Sequence, residues 1–478
     1  MLVTQQRNET QTFLNAVCEQ VRWKQAHETI TRDLSDHIED QTEAYVRGGM
    51  NSVDAAERAV KEMGDPVDVG LLMDASYRPR TEWAVLISVL FILLFGVVTQ
   101  LIFYNAIPHY EMYNGENLAK LGVSVGIGGL LMVLAYNVNL YKLYKVSWAG
   151  YALICVSLIM RSMRDADGLG YQGNPNWIYF SLLTPIFLSG ILYSLRGKEV
   201  WRLVAGNGIC AIPFLYGLLW SGGYVISLLP CLVSCMVVLI GFLASGQFSH
   251  RWQRVILVSV LTWCISLLIL TLNWQRLTIN PFRYKQFASV IQRIVGSNYD
   301  NYGNGVREIL AHAQVFGRGS LTPLSKELFF ERIVWERPVN GLEWGFMVDY
   351  SITYLIYRFG WGVGLAAVAA LLAVIAFGFS RCLQLTSQLG KMLCVSIMSV
   401  YAAQVLLYLL GCFGIYNFGA PFPLPFLSVG YRSQVVNMAL LGMLLSLFRT
   451  DTLYMDTPPR KWQRLRLHVS ADAGQKEK

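Results

Sequence analysis

Three charged side chains interrupt otherwise apolar stretches of this chain. Asp349 and Arg358 lie in MVDYSITYLIYRFGWGVG, residues 347–364, and Arg432 follows PFPLPFLSVGY, residues 421–431. Charge inside a membrane segment is costly, so each such group is informative. One acid and two cations near one membrane face suit an anionic, lipid-linked substrate. Each also has a plainer reading. A carboxylate at a helix start is stabilised by the helix dipole. Arg358 could snorkel to the interface, and Arg432 could lie at the lipid surface. Pro421, Pro423 and Pro425 alternate just ahead of the last apolar stretch. Proline at every second position forces an extended loop that runs straight into the helix. No Walker A or GxGxxG phosphate fingerprint is present, and His312 is a lone loop histidine.

The elements that must position these groups are membrane helices. The 478 residues are 54% hydrophobic and only 15% charged, where soluble domains carry about a quarter charged residues. Apolar stretches of spanning length recur, and lipid forces them to be helical. The expected fold is all-α, with about ten spans near residues 83–106, 121–141, 146–163, 177–195, 203–220, 224–246, 255–274, 350–379, 392–413 and 428–448. As one continuous helix, the eighth would set Arg358 about two and a half turns beyond Asp349. Short loops on one side hold Lys142, Lys145, Arg196, Lys198, Arg202, Arg251, Arg254, Arg381 and Lys391. The opposite loops NAIPHYEMYNGEN and GIYNFGAPFPLP hold no Lys or Arg. The positive-inside rule then places both termini in the cytoplasm and loop 275–348 outside.

That loop is too long for an idle connection. RYKQFASVIQRIVGSN places Phe287, Val290, Ile291, Ile294 and Val295 on one stripe, and VREILAHAQVF does so with Val306, Ile309, Leu310 and Ala313. Both read as amphipathic helices on the outer leaflet, with YGNG and FGRGS as turns. Residues 1–80 form a separate soluble helical module, with 9 Lys/Arg against 14 Asp/Glu, a net of −5. Asn51 or Ser52 caps its short helix, Gly64 stops it and Pro66 breaks it. HIED followed by AAERAVKEMGDP resembles the small prefix domain ahead of some bacterial permeases. No cleavable signal peptide opens the chain. Residues 451–478 form a basic cytoplasmic tail. The nine cysteines imply no disulfide framework, because loop 275–348 has none. Cys231 and Cys235, four apart on a helix, read as small packing residues rather than metal ligands. Nothing signals nucleic-acid binding.

Several motifs resemble the SEDS family, the FtsW, RodA and SpoVE group. PFPLPFLSVGYRSQ is similar to the family's G-x-P-L-P-F-x-S-x-G-G-S through Pro423, Leu424, Pro425, Phe426, Ser428 and Gly430. VDYSITYLIYRFGWGVG resembles T-D-F-I-F-A-V-I-A-E-E-L-G-F-x-G through Asp349, Gly360 and Gly364, with Tyr357 and Arg358 at the two glutamates. YGNGVREILAHAQVFGRG resembles the family loop through Gly303, Gly305, Gly317 and Gly319. The likeness covers roughly residues 83–450. Departures are Tyr431 and Arg432 for the second glycine and serine, Asn176 for an arginine, and Thr184–Pro185 as the remnant of Q-P-S-E-x-x-K.

The resemblance implies a peptidoglycan glycosyltransferase of the bacterial cytoplasmic membrane, acting in division, elongation or sporulation. Its substrate would be lipid II, the undecaprenyl-pyrophosphate disaccharide-pentapeptide, and its partner a class B penicillin-binding protein. Asp349 then stands as general base for the acceptor sugar hydroxyl. Arg358, Arg432, Arg318 and Ser428 stand as substrate-binding residues. These cations, or a divalent ion such as Mg or Mn, would steady the leaving pyrophosphate. Two alternatives remain: a catalytically inactive scaffold that activates the penicillin-binding protein, and a lipid II flippase. A transporter needs polar groups through the depth of the bundle, and spans six and seven carry no charge.

Overall fold

The computed structural model describes residues 2–78, 82–105, 111–166, 176–196, 208–209, 229–244, 301–320, 350–415, 424–427 and 431–451. All regular structure among them is helical. The fifteen α-helices among the described residues are α1 (Leu2–Gln20), α2 (His27–Arg47), α3 (Ser52–Glu62), α4 (Pro66–Tyr77), α5 (Trp83–Asn105), α6 (Glu111–Asn137), α7 (Leu143–Ala166), α8 (Asn176–Ser181), α9 (Thr184–Ser194), α10 (Leu229–Ala244), α11 (Asn301–Ala311), α12 (Ser351–Phe359), α13 (Trp361–Leu383), α14 (Gln388–Cys412) and α15 (Tyr431–Thr450). The chain divides into two compact units. One is Met1–Glu82 with Phe448–Asp456, and the other is Trp83–Leu447 with Thr457–Lys478.

In the first unit, α1 packs on α2, α3 and α4. Ile30, Leu34 and Ile38 recur every four residues along α2, so they share one face. That face meets Phe13, Leu14 and Val17 of α1 in a closed apolar core. Asn51 occupies the N-cap position of α3, but its side chain accepts no capping hydrogen bond. Gly64 ends the helix region at φ 87°, and the Asp65 carboxylate accepts from Val67 N at 2.9 Å to start α4.

Helices long and apolar enough to cross a membrane, among the described residues, are Trp83–Ile102, Ala119–Asn137, Trp361–Leu383, Gln388–Cys412 and Arg432–Thr450. Their burial differs sharply. The Gln388–Cys412 helix is 72% buried, against 17% for Trp361–Leu383, so α14 is central and α13 peripheral. Around α14 pack α9, α10, α12 and α13. Close approach of α6 and α15 depends on small residues: a Cβ on Gly442 would lie 2.2 Å from Met132 O. Cys231 Sγ donates to Ser181 O at 2.9 Å, joining α10 to α8.

Two expectations change. The eighth span is not one helix over 350–379. It breaks at Gly360, with φ 96°, into α12 and α13. In a continuous helix residues 356 and 364 would be about 12 Å apart, yet a Cβ on Gly364 would lie 2.1 Å from Ile356 Cγ1. So α12 folds back on α13, and Arg358 sits in the last turn of the short α12 rather than inside one long span. YGNG, residues 302–305, is no turn but part of α11. The buried Val306, Ile309 and Leu310 pack against α12 rather than on lipid, and that packing outweighs the roughly 1 kcal/mol cost of each helical glycine. Spans 203–220 (apart from 208–209) and 255–274, and the stretch 284–297, lie outside the described residues.

Candidate functional site

The short helix α12 is the centre of the site. Its sequence is SITYLIYRF, and Ser351 to Tyr357 are all buried, polar and apolar alike. A helix this short leaves nearly half of its backbone groups unpaired, so other elements must satisfy them. At its start, Ser351 N donates to Tyr408 Oη at 2.6 Å, and Thr353 Oγ1 donates to Cys412 O at 2.6 Å. At its end, Gly319 N donates to Tyr357 O at 2.8 Å and Gly317 N to Phe359 O at 3.0 Å. In return, Trp361 N donates to Gln314 O at 2.9 Å and Gly362 N to Val315 O at 3.0 Å. Segment 314–319 thus clasps the helix break through four main-chain hydrogen bonds. Glycine at 360 is required twice over, by its positive φ and because a Cβ would lie 2.5 Å from Val315 O.

The clasp carries Arg318 to the end of α12. The exposed Arg318 donates from Nε to Tyr357 Oη at 3.1 Å, with its guanidinium carbon 5.5 Å from the Tyr357 ring centroid. Arg358 is the next residue along α12. It is half-buried and has no hydrogen-bond or ion-pair partner among the described residues. The structure therefore brings together Arg318, Arg358 and Gly360. Pro425 is buried within Leu424–Leu427, facing a cavity it lines with Val85, Leu371, Met398 and Tyr401, and Leu424 and Leu427 share one apolar cluster with Tyr350, Ile352 and Tyr354. Arg432 is exposed in the first turn of α15. Asp349, Pro423, Ser428 and Gly430 lie outside the described residues. His312 Nδ1 sits 3.7 Å from Glu308 Oε1, one helical turn away.

Sequence reasoning, which counted charges, missed an uncharged polar seam in the bundle core. Gln404 and Asn437 exchange side-chain hydrogen bonds, Nε2 to Oδ1 at 3.2 Å and Nδ2 to Oε1 at 3.4 Å. Asn437 Nδ2 also donates to Ser433 Oγ at 3.1 Å, and Tyr401 Oη donates to Asn437 O. Ser124 Oγ donates to Gln434 Oε1 at 3.0 Å, tying α6 to α15. Spacing of Tyr401 to Gln404 and of Ser433 to Asn437, at helical intervals within apolar spans, was the available signal.

As ligands for a divalent ion the described residues do not fit. The side chains around the end of α12 are cationic, and among the described residues no three His, Cys, Asp or Glu side chains gather.

No family model matches the chain, and no curated protein matches it by sequence. Among solved structures, it is similar to a chain of a peptidoglycan synthase complex that coordinates polymerization and crosslinking. The identity is 17% and the TM-score 0.54, over 79% of this chain and 99% of that one. The Thermus thermophilus rod shape determining protein RodA aligns at 13% identity and TM-score 0.48, over 79% of this chain and 98% of its own. Helices, break and bundle together give an all-α polytopic membrane protein with a SEDS-like fold.

Proposed function

We propose that this chain is a peptidoglycan glycosyltransferase that polymerises lipid II at the outer face of the bacterial cytoplasmic membrane. The observation that carries the reading is the cationic end of α12: Arg358, half-buried and without a described partner, beside Arg318 on its main-chain clasp. A cation held partly out of water is a strong partner for a pyrophosphate. The SEDS-like fold and the resemblance of the motifs around Asp349 and Pro425 support the same reading. Asp349 accepts the proton of the acceptor sugar hydroxyl as that oxygen attacks the donor anomeric carbon. The bond from that carbon to the pyrophosphate oxygen breaks, and Arg358, with Arg318 and Arg432, stabilises the charge left on the departing group.

The test is glycan-chain formation from labelled lipid II by purified protein, alone and with a class B penicillin-binding protein. Chains longer than the disaccharide support the reading. A protein inert under both conditions, yet able to raise the partner's crosslinking, favours the second reading, a catalytically silent scaffold. One observation speaks for that alternative: Tyr357, a neutral phenol bonded to Arg318, stands where the resembling motif has a carboxylate.

A further inference from the structure

Two residues of α5 are aimed at one point of the outer loop. Gly96 and Gln100 are four apart, so they share a helix face. The Gln100 side-chain amide donates to the backbone oxygen of Phe426. A Cβ on Gly96 would lie 2.7 Å from that oxygen and 2.8 Å from Phe426 Cβ, so nothing larger than glycine fits there.

Phe426 itself is unusual. It is the only non-glycine residue with positive φ among the described residues, at 70°. Across it, Leu427 N donates to Pro425 O at 3.0 Å. A hydrogen bond from residue i+2 back to i, around a central φ near +75°, marks the rare, strained form of the γ-turn. Such strain persists only where the surroundings over-determine it. Here the phenyl ring is buried and tilts against Tyr401, with centroids 6.3 Å apart. Leu424 and Leu427 are buried on either side. The ring and the leucines hold the turn on the bundle side, and α5 grips its main chain.

We propose that Gly96 and Gln100 are positioning residues for the outer end of α15. By fixing the γ-turn at Phe426 they set where the chain enters that helix. Arg432 follows only five residues after Leu427, so its position depends on the turn. The inference rests on the functional reading above, in which Arg432 meets the pyrophosphate.

The test uses the full chain in lipid nanodiscs, as Gln100→Leu and as Gly96→Ala. Hydrogen exchange of the peptide spanning 424–431 should quicken at least tenfold in both, while α14 keeps its protection. The lipid II concentration for half-maximal rate should rise about tenfold with the turnover number within twofold. Gln100→Leu alone decides the matter if Gly96→Ala does not fold. Unchanged exchange in the variants overturns the clamp. Faster exchange with unchanged lipid II dependence overturns the positioning role, leaving Gln100 a structural bond. A wild type that neither binds nor polymerises lipid II defeats the functional reading instead, and the exchange measurement still rules on the clamp.

Discussion

Asp349 and Arg358 make separable demands on the proposed chemistry. Asp349→Asn keeps the side-chain shape but removes the base. Polymerisation should fall by about a hundredfold or more, while the melting midpoint barely moves, because a helix-end charge contributes under about 1 kcal/mol. Wild-type turnover by the mutant would return Asp349 to a structural carboxylate. Arg358→Gln removes the half-buried cation. A charge-assisted hydrogen bond contributes roughly 1.5–3 kcal/mol, so lipid II binding should weaken by at least about tenfold, with little change for a lipid of neutral headgroup. Equal losses for both lipids would point to damaged packing. These two residues were visible in the sequence because charge is rare in apolar stretches. The turn at Phe426 was not, since phenylalanine seldom takes positive φ and no residue pattern announces it.

At the level of elements, the break at Gly360 was hidden for a simple reason. Hydropathy is blind to φ, and apolar residues continue on both sides of the glycine. Gly360→Ala should therefore be far more damaging than its single methyl suggests. It combines a disfavoured backbone angle, about 1–3 kcal/mol, with a clash against Val315 O. Thermal unfolding in detergent measures this, and an unshifted midpoint would mean that 314–319 does not hold α12. The amphipathic stripe of α11 was legible, but its partner was not: a period identifies a face without saying whether lipid or protein covers it. In α3, Glu62 accepts from Tyr45 Oη and from Arg58 Nε at 3.1 Å. The Tyr45 hydrogen bond first, and then Arg58, hold the Glu62 carboxyl below its ordinary range. A depressed folded value contributes stability that is present above the unfolded carboxylate range, roughly pH 4.3, and lost as pH falls through the folded value. The difference in α3 exchange protection between wild type and Glu62→Gln should thus shrink below about pH 4. The pair is exposed, so the whole effect is small, and a gap that persists at pH 2 would contradict it.

On the scale of the whole molecule, the polytopic all-α character followed from composition alone. Which helix stands at the centre did not, because α5 and α13 are as apolar as α14. What marks α14 and α15 is polar seam residues. Basic short loops still argue for both termini inside and loop 275–348 outside. Cysteines introduced at 275–300 should react with an impermeant thiol reagent in intact cells, and labelling only after lysis would invert the topology. The seam has a consequence for how the protein is made. Gln404 leaves the ribosome 33 residues ahead of Asn437. Until then its amide has only Val400 O of its own turn to bond, and an amide in hydrocarbon without a partner is costly. Insertion of α14 into lipid is thus best completed jointly with α15, as a hairpin released together from the insertion machinery, and a nascent chain cut between them would present the cell with a helix that the bilayer holds poorly.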